Sequence, residues 1–550
     1  MKRIFIFSMM ALAFTAVQAQ DTYTNDRLTN TSDIHGTARY VGMGGAMGAL
    51  GADISVISNN PAGIGLFRRN DISIGMGAVV QDAPAVEGEN RAHYTFDQVG
   101  FVASFGGRSA ENHINFALNL QKKIDFRHSM IAENGQLGGL SQAAQLAGLM
   151  ADFYDDYTEN VGSLVNQAYS AGLYDVFAGN GEQLQYKANQ NSFYRTTSGN
   201  LFGMDLNLSG GVQNRFFWGL TFGIDFLNYY SDFSYLEMRD GYFGGQPLPD
   251  YSVQDYTLEG THNVSGAGFN VKLGTIFRPI EDSPFRIGIA VETPTWYTLR
   301  QEDNWFTFWS KWKNNGWNAD AVPASYDYTY LDQQGKYQGY DSPDASYLEF
   351  NLHSPWKLRA SIGSTVQDFL AWDVEYEYAL NDKATMGYPR YESNGWDDQS
   401  VGMDSDKGMN AMTKKVMNGV HNVRAGLEFK PVEAFAVRAG YNFYSKPMKD
   451  NGRYDQSIDS YYMNYVLGTD YMNLKATNIF SLGMGYRYKN FYADVAYKYR
   501  HQKGDFYAFD DHYQTAVQPE SQFITTGDYL HPTSVNLDRH NVTFTLGYKF

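Results

Sequence analysis

The sequence predicts an all-β protein: a transmembrane antiparallel β-barrel of about fourteen strands, with an N-terminal plug inside and partly helical external loops. Three observations predict it. The chain opens on an export signal, a two-residue apolar alternation recurs along it, and its connections alternate between short and long.

In the signal, Lys2 and Arg3 supply a positive start, Ile4 to Val17 an apolar stretch, and Val17-Gln18-Ala19 a small-residue cleavage site. Residues 1–19 therefore read as a signal peptide and Gln20 as the mature start. A single membrane anchor is the competing reading, and the stretch is shorter than the ~20 residues a spanning helix needs. After residue 19 no apolar run approaches that length, and mean hydropathy is −0.44. Barrel strands leave a far weaker hydropathy signal, compatible with 42 Tyr, 36 Phe and 54 Gly beside 19% charged residues. With no cysteine, the chain has neither a disulfide framework nor the lipid-bearing residue of a lipoprotein. A formal charge of −17 argues against a nucleic-acid partner and suits a solvated external loop layer.

Alternation marks strands near 71–80, 94–106, 112–126, 200–212, 216–231, 262–278, 285–300, 347–364, 369–380, 420–430, 434–445, 476–488, 491–503 and 537–550. In the fifth, Trp218, Leu220, Phe222, Ile224 and Phe226 alternate with Gly219, Thr221, Gly223 and Asp225. In the ninth, Leu370, Trp372, Val374, Tyr376 and Tyr378 alternate with Asp373, Glu375 and Glu377, acids that a soluble core would not bury. The last strand sets Val542, Phe544, Leu546, Tyr548 and Phe550 against Asn541, Thr543, Thr545, Gly547 and Lys549. A soluble sheet edge could alternate in the same way. A closing aromatic such as Phe550, however, resembles the assembly signal of bacterial outer-membrane barrels, which implies outer-membrane lipid and the barrel assembly machinery as partners.

Short turns follow the even strands, at 106–112, 211–215, 279–284, 365–368, 431–434 and 489–490, and long loops follow the odd ones. Barrels of this kind keep short turns in the periplasm, so 127–199 and 301–346 are expected outside. The first of these loops has helical periodicity, with Ser141 as a cap before Ala144, Leu146, Leu149, Met150 and Phe153. The second carries Trp305, Phe306, Phe308, Trp309, Trp312 and Trp317; a ligand-catching lid and loops packed on one another are its two readings.

Residues 20–70 precede the barrel, 71–550, and hold eight glycines from Gly36 to Gly65. A fourteen-stranded barrel encloses more than its inward side chains fill, so this segment is placed to plug it. The plug reads Gly36-Thr37-Ala38-Arg39, Gly42-Met43-Gly44-Gly45-Ala46, Ala52-Asp53 and Asn59-Asn60-Pro61-Ala62-Gly63. Together these motifs resemble the FadL/TodX family of outer-membrane hydrocarbon and fatty-acid transporters, whose hatch carries an Asn-Pro-Ala element matched by Asn60, Pro61 and Ala62. Looser matches follow at Ser354 to Arg359 and His421 to Pro431.

The resemblance implies an internal hatch gated around Asn60, Pro61, Ala62 and Gly63. It also implies passive transport of small hydrophobic molecules, of long-chain fatty-acid or hydrocarbon type, with the ligand resting in an apolar pocket above the hatch. The competing reading of Asn60–Gly63 is a β-turn with Pro preset at its second position. In the family the wall opens at a kinked third strand, whereas Ile114 to Leu120 here contains neither Gly nor Pro.

Asp225, Lys272, Glu292, Arg359, Glu375, Arg424, Glu428 and Arg438 face inward, as a wetted lining or as contacts to the plug. Arg359, Arg424 and Arg438, near the periplasmic strand ends, are also candidates for neutralising a ligand carboxylate.

Other chemistry is not expected. Met47 breaks the glycine run for a nucleotide and no phosphate-binding lysine follows. The 11 histidines lack zinc spacing, and Gly408 arrives too early after Asp404 and Asp406 for a calcium loop. No nucleophile and base share a rim, so neither enzyme activity, metal nor cofactor is expected. The alternative function is an outer-membrane binding or scaffold protein for a surface partner or haem-like ligand.

Overall fold

A strand sheet in hydrocarbon can leave no unpaired edge, so it must close on itself. The computed structural model describes residues 28–29, 33–82, 91–106, 111–138, 140–146, 188–239, 242–243, 246–247, 253–281, 283–303, 306–312, 325–327, 346–393, 398–450, 452, 469–510 and 530–550. The signal 1–19, the Gln20 start, Leu149, Met150, Phe153, Trp305 and Trp317 lie outside the described residues.

Fourteen antiparallel strands close the barrel. They are β1 (Asp71–Gln81), β2 (Ala92–Phe105), β3 (His113–Asp125 and His128–Asn134), β4 (Ala188–Val212), β5 (Phe216–Arg239), β6 (Val253–Phe277) and β7 (Arg286–Glu292, Trp296–Asp303 and Phe306–Trp312). Then follow β8 (Ser346–His353 and Lys357–Val366), β9 (Leu370–Ala379 and Thr385–Ser393), β10 (Val420–Val432), β11 (Phe435–Tyr444), β12 (Tyr471–Tyr488), β13 (Phe491–Tyr507) and β14 (Thr533–Asn536 and Arg539–Lys549). β14 returns to β1 with Asp71 opposite Lys549 and Gln81 opposite Arg539. Phe550 extends that seam, exchanging backbone hydrogen bonds with Asn70 at 3.1 Å each way.

The strands outrun the predicted segments on the external side. Part of the region expected as the loop 127–199 is strand, at His128–Asn134 and from Ala188 onward. β5 has 24 residues and β4 and β6 have 25 each, where a membrane needs only 9–11. Above the lipid the outer face meets water, so stretches such as Asn189 to Ser192 lose the alternation on which the reading depended. Breaks in β7 and β8 fall at Pro294 and Pro355, which cannot donate to the ladder. Ser141 does cap a short helical turn over 142–146: its hydroxyl accepts from Ala143 N (3.1 Å) and donates to Glu237 (2.6 Å).

Large apolar residues at 72, 74 and 76 and throughout the other strands point outward, while Asp205, Asn207, Ser209, Thr221 and Asp225 are buried inside. Exposed aromatics flank the short turns: Phe105, Phe216, Phe277, Phe369, Phe429, Tyr488 and Phe491. This is one interfacial girdle of an outer-membrane-type barrel, and it places all six turns at a single membrane face. An epitope at the exposed Val432 in the β10–β11 turn is therefore expected to be hidden on intact cells. One at Asn315, outside the described residues, is expected to be reachable. Surface labelling at Val432 would overturn the orientation.

β3 does bend, although without glycine or proline. Its ladder with β2 runs from Phe105 opposite Ile114 to Gln98 opposite Gln121 and then stops, leaving Ala92–Asp97 without a β3 partner. On the β4 side the register slips between Lys122 and Ile124. Other groups take up the freed backbone: Arg539 donates to the Asp125 (2.7 Å) and Arg127 (2.8 Å) carbonyls, and Gln81 bridges Arg127 O and Ser129 N. Lys122 is held inward on Asp125 at 3.1 Å. The wall thus lapses between β2 and β3.

Candidate functional site

Inside the barrel, residues 33–70 form a small folded body. Thr37 caps helix α1 (Ala38–Gly42) by accepting from Tyr40 N at 3.1 Å, and donates to the Asp53 carboxylate at 2.8 Å. Asp53 in turn caps a 3-10 helix, Ile54–Ser58, through Ser55 N. Val41, Met43, Met47, Leu50, Val56 and Ile64 cluster with inward residues of the wall. The plug is packed like a protein interior, not coiled loosely in a pore.

Asn60, Pro61, Ala62 and Gly63 lie where this body meets β5 and β6. Asn60 caps the 3-10 helix Pro61–Leu66: its side-chain oxygen accepts from Ala62 N (3.2 Å), and its amide donates to Gly48 O (2.8 Å) and Thr275 O (3.3 Å). The turn bond from Gly63 N to Asn60 O (2.9 Å) is present as well. The local turn geometry and the hatch position therefore coincide at this element. Two inward glycines of the wall make the approach feasible, since a Cβ on Gly219 would strike the Pro61 carbonyl and one on Gly274 the Asn60 side chain.

Further ties distribute over the wall. The Asp373 carboxylate accepts from Ala49 N (2.9 Å) and Leu50 N (2.8 Å), Arg39 pairs with Glu428 (2.9 Å), and Ala38 N donates to Thr545 (2.8 Å). Lys498 holds both the Asp33 carboxylate and Ile34 O. Burial raises the Asp33 carboxyl, but the charge of Lys498, with His35 and Arg500 behind it, outweighs burial and leaves it well below the usual carboxylate range. The alternation in β9 and β10 puts Asp373, Glu375 and Glu428 inside the lumen. Their hatch partners carried no signal, being hundreds of residues away.

Arg359, Arg424 and Arg438 are buried, each already on wall carboxylates. Arg359 bonds Glu292 (2.6 Å) and Glu377 and also reaches Asn59 O (3.3 Å). Arg424 bonds Glu375 (2.6 Å) and Glu377 (3.3 Å); Arg438 bonds Glu428 (2.7 Å) and Asp494 (2.6 Å). An incoming carboxylate would have to displace these pairs. Breaking such buried pairs leaves a charge uncompensated, at a cost of about 3–5 kcal/mol.

Among the described residues, two cavities above the hatch stand out. The nearer, about 80 Å³, is polar and charged, with Lys123, Lys272, Glu292 and Arg359 among its walls. The farther, about 120 Å³, sits behind the β3 bend and is amphipathic. Ile124, Phe126, Met130, Tyr229, Met472 and Leu474 give it an apolar wall, and Arg195, Arg500 and Arg539 a cationic one. Arg195 is fixed by Asp470 at 2.7 and 2.9 Å and lies 4.8 Å from the Phe193 ring centre.

No family model matches this sequence, and no curated protein does. Solved structures that it is similar to include a Pseudomonas aeruginosa FadL homologue, at 13% identity and a TM-score of 0.47, covering 94% of this chain and 99% of that one. The toluene transporter TbuX of Ralstonia pickettii follows at 12% and 0.44, over 94% and 98%. The toluene transporter TodX of P. putida stands at 11% and 0.45, over 94% and 99%.

Proposed function

We propose that this chain passes small hydrophobic molecules across the outer membrane without energy coupling, holding them in the amphipathic cavity behind the β3 bend. The observation that carries the reading is the meeting of that cavity with the lapse in the wall: Ile124, Asp125 and Phe126 line the cavity and also form the bend. A hydrophobic guest leaving there enters lipid. Straight descent would take it through the charged chamber over the hatch, where an apolar solute gains nothing.

The cavity volume of about 120 Å³ approaches the ~150 Å³ of an apolar cavity that binds benzene, so as it stands it suits one ring or a short length of chain. A hydrocarbon or the tail of a fatty acid meets that condition. The hatch, gated around Asn60-Pro61-Ala62, keeps the lumen ion-tight during transfer.

Replacing Met130 and Leu474 by Trp fills the cavity from opposite walls. Uptake of toluene or oleate by cells expressing the double variant is expected to fall by about tenfold, the equivalent of ~1.4 kcal/mol of lost binding, with a normal heat-modifiable barrel. Unchanged uptake of both probes would remove the cavity from the pathway. Retention of probe by the purified native chain without flux in cells would favour the binding-protein reading, for which contacts among the described residues at the external end are the supporting observation: Gln142 there bonds Thr469 (2.7 Å) and Tyr256 (2.9 Å).

A further inference from the structure

Six basic residues along the lumen are matched to carboxylates, while Arg539 donates to backbone carbonyls instead. Arg39, Lys122, Lys123, Lys272, Arg359 and Arg438 each have one within 4.0 Å. At the periplasmic floor this pattern stops, among the described residues, at Arg278 and Arg286. Arg68 at the end of the hatch, Arg215 in the β4–β5 turn, Arg278 in the β6–β7 turn and Arg286 at the foot of β7 gather there, in a chain whose net charge is −17.

Their mutual geometry is fixed by neutral groups. Arg278 N donates to Arg215 O (2.9 Å), and its guanidinium lies 5.6 Å from the Phe217 ring centre. Arg68 reaches the Asn214 side chain and His113 Nδ1 (2.6 Å), and Arg286 donates to Leu50 O (2.6 Å). Among the described residues no carboxylate comes within ion-pair distance of Arg278 or Arg286, and Arg215 meets only the exposed Glu281 at 4.0 Å. The Nε atoms of Arg215, Arg278 and Arg286 are buried without an acceptor among the described residues, as are those of Arg195, Arg424 and Arg539. Burial, and then the charge of Arg278, push Arg68 below its ordinary value.

Arg278 and Arg286, whose guanidiniums meet the Phe217 ring and the Leu50 carbonyl and no carboxylate at ion-pair distance among the described residues, leave room for an anion. Planar guanidinium forks match oxyanions in two-pronged fashion. We propose that this floor is an oxyanion site that takes a carboxylate or phosphate group from the periplasmic side. Arg286 reaches the hatch at Leu50 O and Arg278 packs by the buried Phe217, while their neighbours Phe277 and Ile287 face lipid. That orientation favours a soluble anion over the phosphate of a lipid headgroup. The inference is independent of the transport reading.

The test is a titration of the purified full chain with inorganic phosphate, first in neutral detergent. One saturable site is expected, at least about tenfold weaker in Arg278→Gln/Arg286→Gln; the single variant Arg278→Gln, in a turn, serves if the double one folds poorly. In nanodiscs, phosphate binding that persists with phosphatidylglycerol as with phosphatidylcholine identifies a soluble ligand. Loss with phosphatidylglycerol alone still supports the oxyanion site but assigns it to a headgroup. Non-saturable binding, or binding equal in native and variant chains, overturns the proposal, the anion then being held only by the exposed surface.

Discussion

Removal of residues 20–58 is expected to convert an ion-tight barrel into an open conductor in planar bilayers. The reasons lie in which interactions are lost and which remain. The closed ladder from β1 to β14 is untouched, and so are the wall ion pairs Arg438–Asp494 (2.6 Å) and Arg424–Glu375 (2.6 Å). Asp373, Glu428 and Lys498 lose their hatch partners, but the same deletion admits water to them, and a hydrated charge costs little compared with a buried one. What disappears is the packed body of Val41, Met43, Met47, Leu50 and Val56 that fills the lumen. Fourteen strands enclose more space than inward side chains occupy. The measurement pairs heat-modifiability on gels with single-channel current. A truncated barrel that folds and yet stays as ion-tight as the full chain would defeat the hatch reading.

The strand count was legible because lipid imposes a rule on every second residue, and residues such as Trp218 to Phe226 obey it with no knowledge of the rest of the chain. It ceased to be legible where lipid ends, which is why β4, β5 and β6 continue past their predicted tops. The β3 bend was hidden for a different reason. No local breaker marks it, and the carbonyls it frees are taken by Arg539 and Gln81, which arrive from β14 and β1. A sequence window around Ile114 to Leu120 cannot contain that information.

The hatch element shows the same division. Asn60-Pro61-Ala62 was readable as a turn and, by resemblance, as a hatch motif. Its fit against β5 and β6 depends on glycines more than 150 residues away. Arg359, Arg424 and Arg438 were correctly read as inward, yet which carboxylate each one faces follows from strand register. The four floor arginines escaped notice because they are spread over the hatch and three strand ends, and only closure brings them together.

The glycines offer the second large effect, one that removes no residue. Gly219→Val together with Gly440→Val is expected to dislodge the hatch from a barrel that remains closed. Both positions lie inside strands, where Val is favoured over Gly, so the barrel itself gains. The added side chains nevertheless meet backbone: the Pro61 carbonyl and Ala62 N at Gly219, and Gly44 N with the Met43 carbonyl carbon at Gly440. A side chain could rotate aside, but backbone held by hatch bonds such as Gly63 N to Asn60 O (2.9 Å) cannot without moving the body. Overpacking of this kind costs about 1–3 kcal/mol per site. Two sites on opposite flanks then shift the equilibrium towards the displaced hatch by about thirty-fold even at the low end. The expected result is persistent ion leak with full surface levels and unchanged heat-modifiability, and Gly219→Ala alone should leak less. If the double variant stays tight, the hatch does not depend on these contacts, and its closed position must be set by the charged ties at Asp373, Glu428 and Lys498 instead.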